Sequence, residues 1–112
     1  MNVNIEIVSG LYSGRIFLRE IPLVIGRGIG QSSGCLDLSE FDSQIMISHN
    51  HCKIEFSKGS FYLTDLESKN GTYLYQAGKL VLLPPKEPVL ITKRDLFVVG
   101  ELLLRFSPED SD

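Results

Sequence analysis

Tryptophan is absent, cysteine occurs only twice, and no apolar run approaches the ~18 residues that a membrane-spanning helix needs. Two thiols, Cys35 and Cys52, are too few to build a disulfide framework, and a reducing compartment leaves both unpaired. Positive charge is not in excess either: 11 lysines and arginines stand against 14 aspartates and glutamates, a formal net charge of −3. Such a chain offers no broad cationic field, so neither nucleic acid nor an anionic membrane is an expected partner. The stretch Met1 to Ser9 has no basic segment followed by a continuous apolar run, and a cytoplasmic location is the expectation. In that location the glycosylation triplet Asn70, Gly71, Thr72 is chemically silent.

What is present is β-type patterning. A chain of 112 residues, 43% of them hydrophobic, has enough material for one core. Short runs rich in Ile, Val, Leu, Phe and Tyr recur between clusters of Gly, Ser, Asn, Asp and Pro. The pattern predicts strands at Val3–Val8, Arg15–Arg19, Leu23–Ile25, Cys52–Phe56, Phe61–Asp65, Thr72–Tyr75, Val89–Ile91, Leu96–Val99 and Leu102–Phe106. No segment reads as a long helix. Alternation is clearest at Cys52, Ile54 and Phe56 on one face against Lys53, Glu55 and Ser57 on the other. With a turn at Lys58 and Gly59, this strand and Phe61–Asp65 make an antiparallel hairpin. The whole pattern predicts two sheets packed face to face. Residues 1–106 form the expected domain, and residues 107–112 an acidic disordered tail or the start of a linker. Loop chemistry marks Gly26–Gly34 and Asp42–Asn50, the first read as a flexible rim.

Four groups of residues stand out along the chain: Gly26 with Arg27, Ser48 with His51, Asp65 with Leu66 and Ser68, and Asn70 with Gly71 and Thr72. Singly each has an ordinary reading, a solvated cation or a turn. In this order and spacing they resemble the forkhead-associated (FHA) family, whose pattern is Gly-Arg, then Ser-x-x-His, then Asp-Leu-x-Ser-x-Asn-Gly-Thr. The resemblance extends outward to Ile5 and to the closing Phe97, Val98, Val99, Gly100. It implies an all-β, twisted two-sheet sandwich of about eleven mostly antiparallel strands, with recognition loops gathered at one end. It further implies that Arg27 and Ser48 contact the phosphate of a phosphothreonine, that Lys69 lines the site, and that Asn70 hydrogen-bonds the peptide backbone. Gly26, His51, Gly71 and Thr72 would hold loop shape.

The chemistry is sensible on its own terms. A phosphothreonine carries about −1.5 to −2 charges and three acceptor oxygens, so it calls for a fixed cation beside directional donors. Arg27 offers a planar fork and Ser48 a hydroxyl, with backbone amides near Lys69 and Asn70 as further donors. His49 departs from the family, many of whose members carry Arg or Asn directly after the motif Ser. Its charge varies near physiological pH, so it is expected to add a cationic contact on acidification. Met46, apolar and near the site, suggests a preference for an apolar residue a few positions after the phosphothreonine.

The reading is therefore a non-enzymatic adaptor that binds a phosphothreonine-containing protein, a Ser/Thr kinase or its substrate, and couples kinase signalling to assembly, with no cofactor. An alternative is a phosphate-independent assembly domain of the same fold. A hydrolase would recruit Ser48, His51 and Asp65, yet no Gly-x-Ser-x-Gly elbow is present. A metal site from His49, His51, Cys52 and Cys35 requires His49 and His51 to share a strand face, and paired Cys-x-x-Cys spacing is lacking. Gly26, Gly28, Gly30 and Gly34 lack the terminal Gly-Lys-Ser/Thr of a nucleotide loop.

Overall fold

In Asn2–Ile7 the side chains of Val3, Ile5 and Ile7 are buried while their neighbours are not, and the same alternation runs through Leu96–Val99 and Leu102–Phe106 in the computed structural model, which describes residues 1–109. Eleven strands form: β1 (Asn2–Ile7), β2 (Ile16–Glu20), β3 (Leu23–Gly26), β4 (Cys35–Asp37), β5 (Asn50–Ser57), β6 (Ser60–Asp65), β7 (Thr72–Gln76), β8 (Lys79–Leu82), β9 (Val89–Ile91), β10 (Leu96–Val99) and β11 (Leu102–Pro108). Among the described residues one 3₁₀ turn, Ser39–Phe41, interrupts them. One sheet has six strands in the order β2-β1-β11-β10-β7-β8, the other five in the order β4-β3-β5-β6-β9. The pairing of β3 with β4 is parallel and the named strand pairs otherwise run antiparallel. The core lies between the inner faces: Ile5, Leu74, Phe97, Leu104 and Phe106 from the larger sheet meet Leu23, Ile25, Ile54 and Leu63 from the smaller.

The expected hairpin is present, with Cys52 opposite Asp65 and Ser57 opposite Ser60. Two expectations need correction. The last strand does not end at Phe106: β1 offers backbone partners along its full length, so β11 continues with Asn4 opposite Ser107 and Val3 opposite Pro108. Glu109 then donates its N–H to the Asn2 carbonyl at 2.9 Å. Residues 110–112 of the expected tail lie outside the described residues. The Gly26–Gly34 loop is not a slack rim, because Asp37 accepts the N–H groups of Gly28 at 3.0 Å and Gly30 at 2.9 Å. The condition for the metal site is not met either, because His49 and His51 do not share a face. The register of β3 against β5 shifts between Ile25, opposite Cys52, and Gly26, opposite Asn50, which leaves His51 bulged. His51 and Cys52 are consequently both buried, while His49 is exposed.

Candidate functional site

β3 delivers Gly26 to the end of the sandwich, where the chain meets the segment leading into β5 backbone to backbone. A Cβ on Gly26 would lie 1.6 Å from the His49 carbonyl oxygen, so only glycine permits the approach. The next amide, Arg27 N–H, is shared between the carbonyls of Ser48 at 3.1 Å and His49 at 3.2 Å. Residues distant along the chain are thereby fixed side by side. Arg27, Ser48 and His49 line one open groove of about 350 Å³ together with Ile45 and Ile47.

Three contacts set the donors of this groove. Ser48 Oγ accepts the Lys69 N–H at 3.0 Å, so the hydroxyl proton is left to donate elsewhere. Asn70 Nδ2 donates to the Met46 carbonyl at 2.8 Å, strapping the β6–β7 loop to the segment before β5. His49 Nδ1 lies 2.6 Å from the Arg27 carbonyl. A carbonyl only accepts, so Nδ1 carries the proton and the neutral ring presents a bare Nε2. Of the residues singled out in the sequence, Arg27, Ser48 and His49 share the groove, while Lys69 and Asn70 line a separate groove of about 320 Å³ and are tied to the first by these bonds.

Asp42 was not among the sequence candidates. Its side chain is 2% exposed and accepts the N–H groups of Met46 at 2.9 Å and Ile47 at 3.0 Å. Its Oδ2 also lies 3.3 Å from Arg27 Nε. That Nε makes no aligned hydrogen bond, so the pairing is chiefly electrostatic. The carboxylate thus shapes the loop and holds the Nε edge of the guanidinium.

Gly71, Thr72 and His51 hold the loops from behind. Asp65 accepts Ser68 Oγ–H at 2.5 Å, Ser68 N–H at 3.2 Å and Thr72 Oγ1–H at 2.7 Å, clasping the β6–β7 loop. His51, wholly buried, accepts the Ser48 N–H on Nδ1 at 3.0 Å, which obliges Nε2 to donate to the Gly71 carbonyl at 2.9 Å. Burial holds its pKa below the ordinary imidazole value, although the Gly71 bond and the charges of Asp65 and Asp42 act the other way. Burial, aided by the charge of Asp65, pushes the Cys52 thiol far up, and it is inert core.

The contacts of a hydrolytic triad are taken by other groups. His51 faces the Ser48 amide rather than its hydroxyl, and Asp65 is engaged by Ser68 and Thr72. Among the described residues no three His, Cys, Asp or Glu side chains are grouped to hold a metal ion.

A model of the FHA domain family matches residues 23–100, and the chain belongs to that family. Among curated proteins, the chloroplastic zeaxanthin epoxidase of Prunus armeniaca is 34% identical over 61 residues, 54% of this chain. The chain spans only 9% of that protein's length. Similar solved structures include the FHA domain of an Arabidopsis thaliana hypothetical protein, with 21% identity, a TM-score of 0.74 and coverage of 99% of this chain and 88% of that one. A structure from a study of phosphothreonine-dependent FHA domain interactions is similar at 24% identity and a TM-score of 0.66, covering 98% of this chain and 99% of the other. The MEK1 FHA domain in complex with a HOP1 phosphothreonine peptide is similar at 22% identity and a TM-score of 0.64, covering 96% and 97%.

Proposed function

We propose that this domain is a phosphothreonine-peptide-binding adaptor, a non-catalytic module that couples Ser/Thr kinase signalling to protein assembly. One observation carries the reading: the Arg27 guanidinium and the Ser48 hydroxyl line a single open groove, fixed there by the bond from Arg27 N–H to the Ser48 carbonyl. The guanidinium fork and the free hydroxyl proton take phosphate oxygens. Lys69 contributes charge at the rim, and the second Nδ2 proton and Oδ1 of Asn70 hold the peptide backbone. Two similar FHA structures come from work on phosphothreonine ligands, which supports the same chemistry for this chain. The partner is a phosphorylated kinase or kinase substrate rather than nucleic acid or a membrane, in keeping with the net charge of −3. A cytoplasmic setting fits this role, and among the described residues no helix is long and apolar enough to cross a membrane. The binding unit runs to Pro108, where β11 ends.

Calorimetry with one peptide in phosphorylated and unphosphorylated form tests the proposal. The phosphopeptide is expected to bind with micromolar affinity, about −8 kcal/mol. Loss of hydrogen bonds worth about 1.5 to 3 kcal/mol each makes Arg27→Ala at least tenfold weaker. Equal affinities for the two peptide forms, unchanged by Arg27→Ala, would favour phosphate-independent assembly.

A further inference from the structure

β8 carries an unguarded hydrogen-bonding edge. It closes one side of the larger sheet, β7 is its neighbour there, and its residues Lys79–Leu82 are all exposed. Just beyond it, Leu83 donates its N–H to the Thr72 carbonyl at 2.9 Å. Residues of an antiparallel ladder turn toward their partner strand at every second position, so Lys79 and Val81 face β7 in the same way. Leu80 and Leu82 therefore direct their N–H and C=O groups outward, as a template for one more strand. The opposite edge of the same sheet, β2, is guarded. Glu20 donates its N–H to the Ser33 carbonyl at 2.6 Å, and Arg19 Nε donates to the Cys35 carbonyl at 2.9 Å.

The side chains of β8 are apolar on both faces, against the rule that edge strands are blunted by charge or proline. Leu80 and Leu82 share the outer sheet face with Tyr75 and Tyr73, which stand opposite them on β7, whereas Val81 points to the other side. Leu82 is 56% exposed, Leu80 50%, Tyr75 43% and Val81 42%. The same outer face turns polar farther along, where Asn4 and Glu6 of β1 lie opposite Ser107 and Arg105 of β11. Apolar surface is thus concentrated along the open edge rather than spread over the sheet.

We infer that β8 is a self-association edge: two copies pair their β8 strands antiparallel about a twofold axis at Val81, joining the two larger sheets into one. The inference goes beyond the phosphothreonine reading and does not rest on it. In this register Leu80 of one copy and Leu82 of the other exchange N–H···O=C bonds, and the two Val81 residues meet on the axis as a non-hydrogen-bonded pair, their Cα atoms about 4.5 Å apart. Lys79 falls opposite Leu83, so the two lysines stand about 13 Å apart along the strands, beyond the Debye length of about 8 Å. A strand that complements this edge must be apolar on both of its own faces, and β8 meets that requirement itself. At roughly 100 Å² for each half-exposed large side chain, four of them on each copy bring about 800 Å² into the contact. That is less than the about 1,200 Å² of a standard interface, so the dimer is weak, with a Kd of about 10 to 100 μM.

Sedimentation velocity at protein concentrations from about 1 to 300 μM tests the inference, and the wild type is expected to pass from monomer to dimer across that range. Leu80→Pro removes an outward N–H without touching the β7 ladder, and Val81→Glu sets two carboxylates against each other on the axis. Each should weaken dimerisation at least tenfold while thermal unfolding stays cooperative. Leu18→Lys, on the guarded edge, should dimerise like the wild type. Val81→Cys gives a readout that does not depend on weakening the fold: mild oxidation should yield a disulfide-linked dimer, which the wild type with its own Cys35 and Cys52 should not form. A wild type that stays monomeric throughout, leaving the edge to a foreign strand, overturns the inference. A dimer that survives both β8 substitutions, or that Leu18→Lys abolishes instead, overturns it as well, as does a Val81→Cys protein that cross-links no more than the wild type.

Discussion

At the scale of single residues, the site depends on groups whose partners are fixed by hydrogen-bond direction. The bond from His49 Nδ1–H to the Arg27 carbonyl ties the segment before β5 to the residue that carries the guanidinium. His49→Ala removes it and should lower stability by about 0.5 to 1.5 kcal/mol in urea titration, whereas an unchanged midpoint would show that the bond contributes nothing. Asp42 offers a second check. In Asp42→Asn the amide cannot accept from Met46, Ile47 and Arg27 together, so stability should drop by about 1 to 3 kcal/mol in urea titration. Phosphopeptide affinity should fall several-fold as the guanidinium loses its backstop. Unaltered binding would show that Arg27 needs no such support.

At the scale of elements, the close pass of β3 beneath the start of β5 is the critical join. Gly26→Ala sets a methyl against the His49 backbone and should cost about 3 kcal/mol or more by denaturant unfolding. Gly30→Ala meets no atom within 4 Å and has only its φ of +79° against it, so about 1 kcal/mol is expected there. Equal losses would mean that crowding at Gly26 is relieved by movement. The strands with one buried face were readable from alternation, and their observed limits differ by a residue or two. β4 and β8 were not. β4 is three residues long and pairs in parallel within a Gly- and Ser-rich stretch, while β8 is exposed on both faces and so carries no alternation to read. In the site, Arg27, Ser48 and Asn70 were legible because their spacing is a motif. Asp42 was not, since its reach to Arg27 exists only once the loop has folded. That His51 is buried while His49 is exposed follows from a bulge, which shifts facing by one residue and leaves no mark in composition.

At the scale of the whole molecule, acid should act on the fold in two stages. The buried His51 is held neutral, with its pKa below the ordinary 6.5. Between the two values the unfolded chain binds a proton that the folded one refuses, so stability declines as the pH falls below 6.5. Asp37 follows lower down. Burial alone would raise its pKa, but the hydrogen bonds from Ser39, Gly30 and Gly28 hold it well below the ordinary 3.8, so its stabilisation is complete above that value and lost beneath it. Thermal unfolding should thus show Tm decreasing from pH 6.5 to 5 and again below about pH 4. A level Tm down to pH 5 would contradict the first stage. The same imidazole has one more consequence. Pinned between the Ser48 amide and the Gly71 carbonyl, it is a keystone set under both lips of the cleft. A substitution deep in β5 that tilts this ring would be scored as failed ligand capture by a protein whose capturing side chains were all still in place.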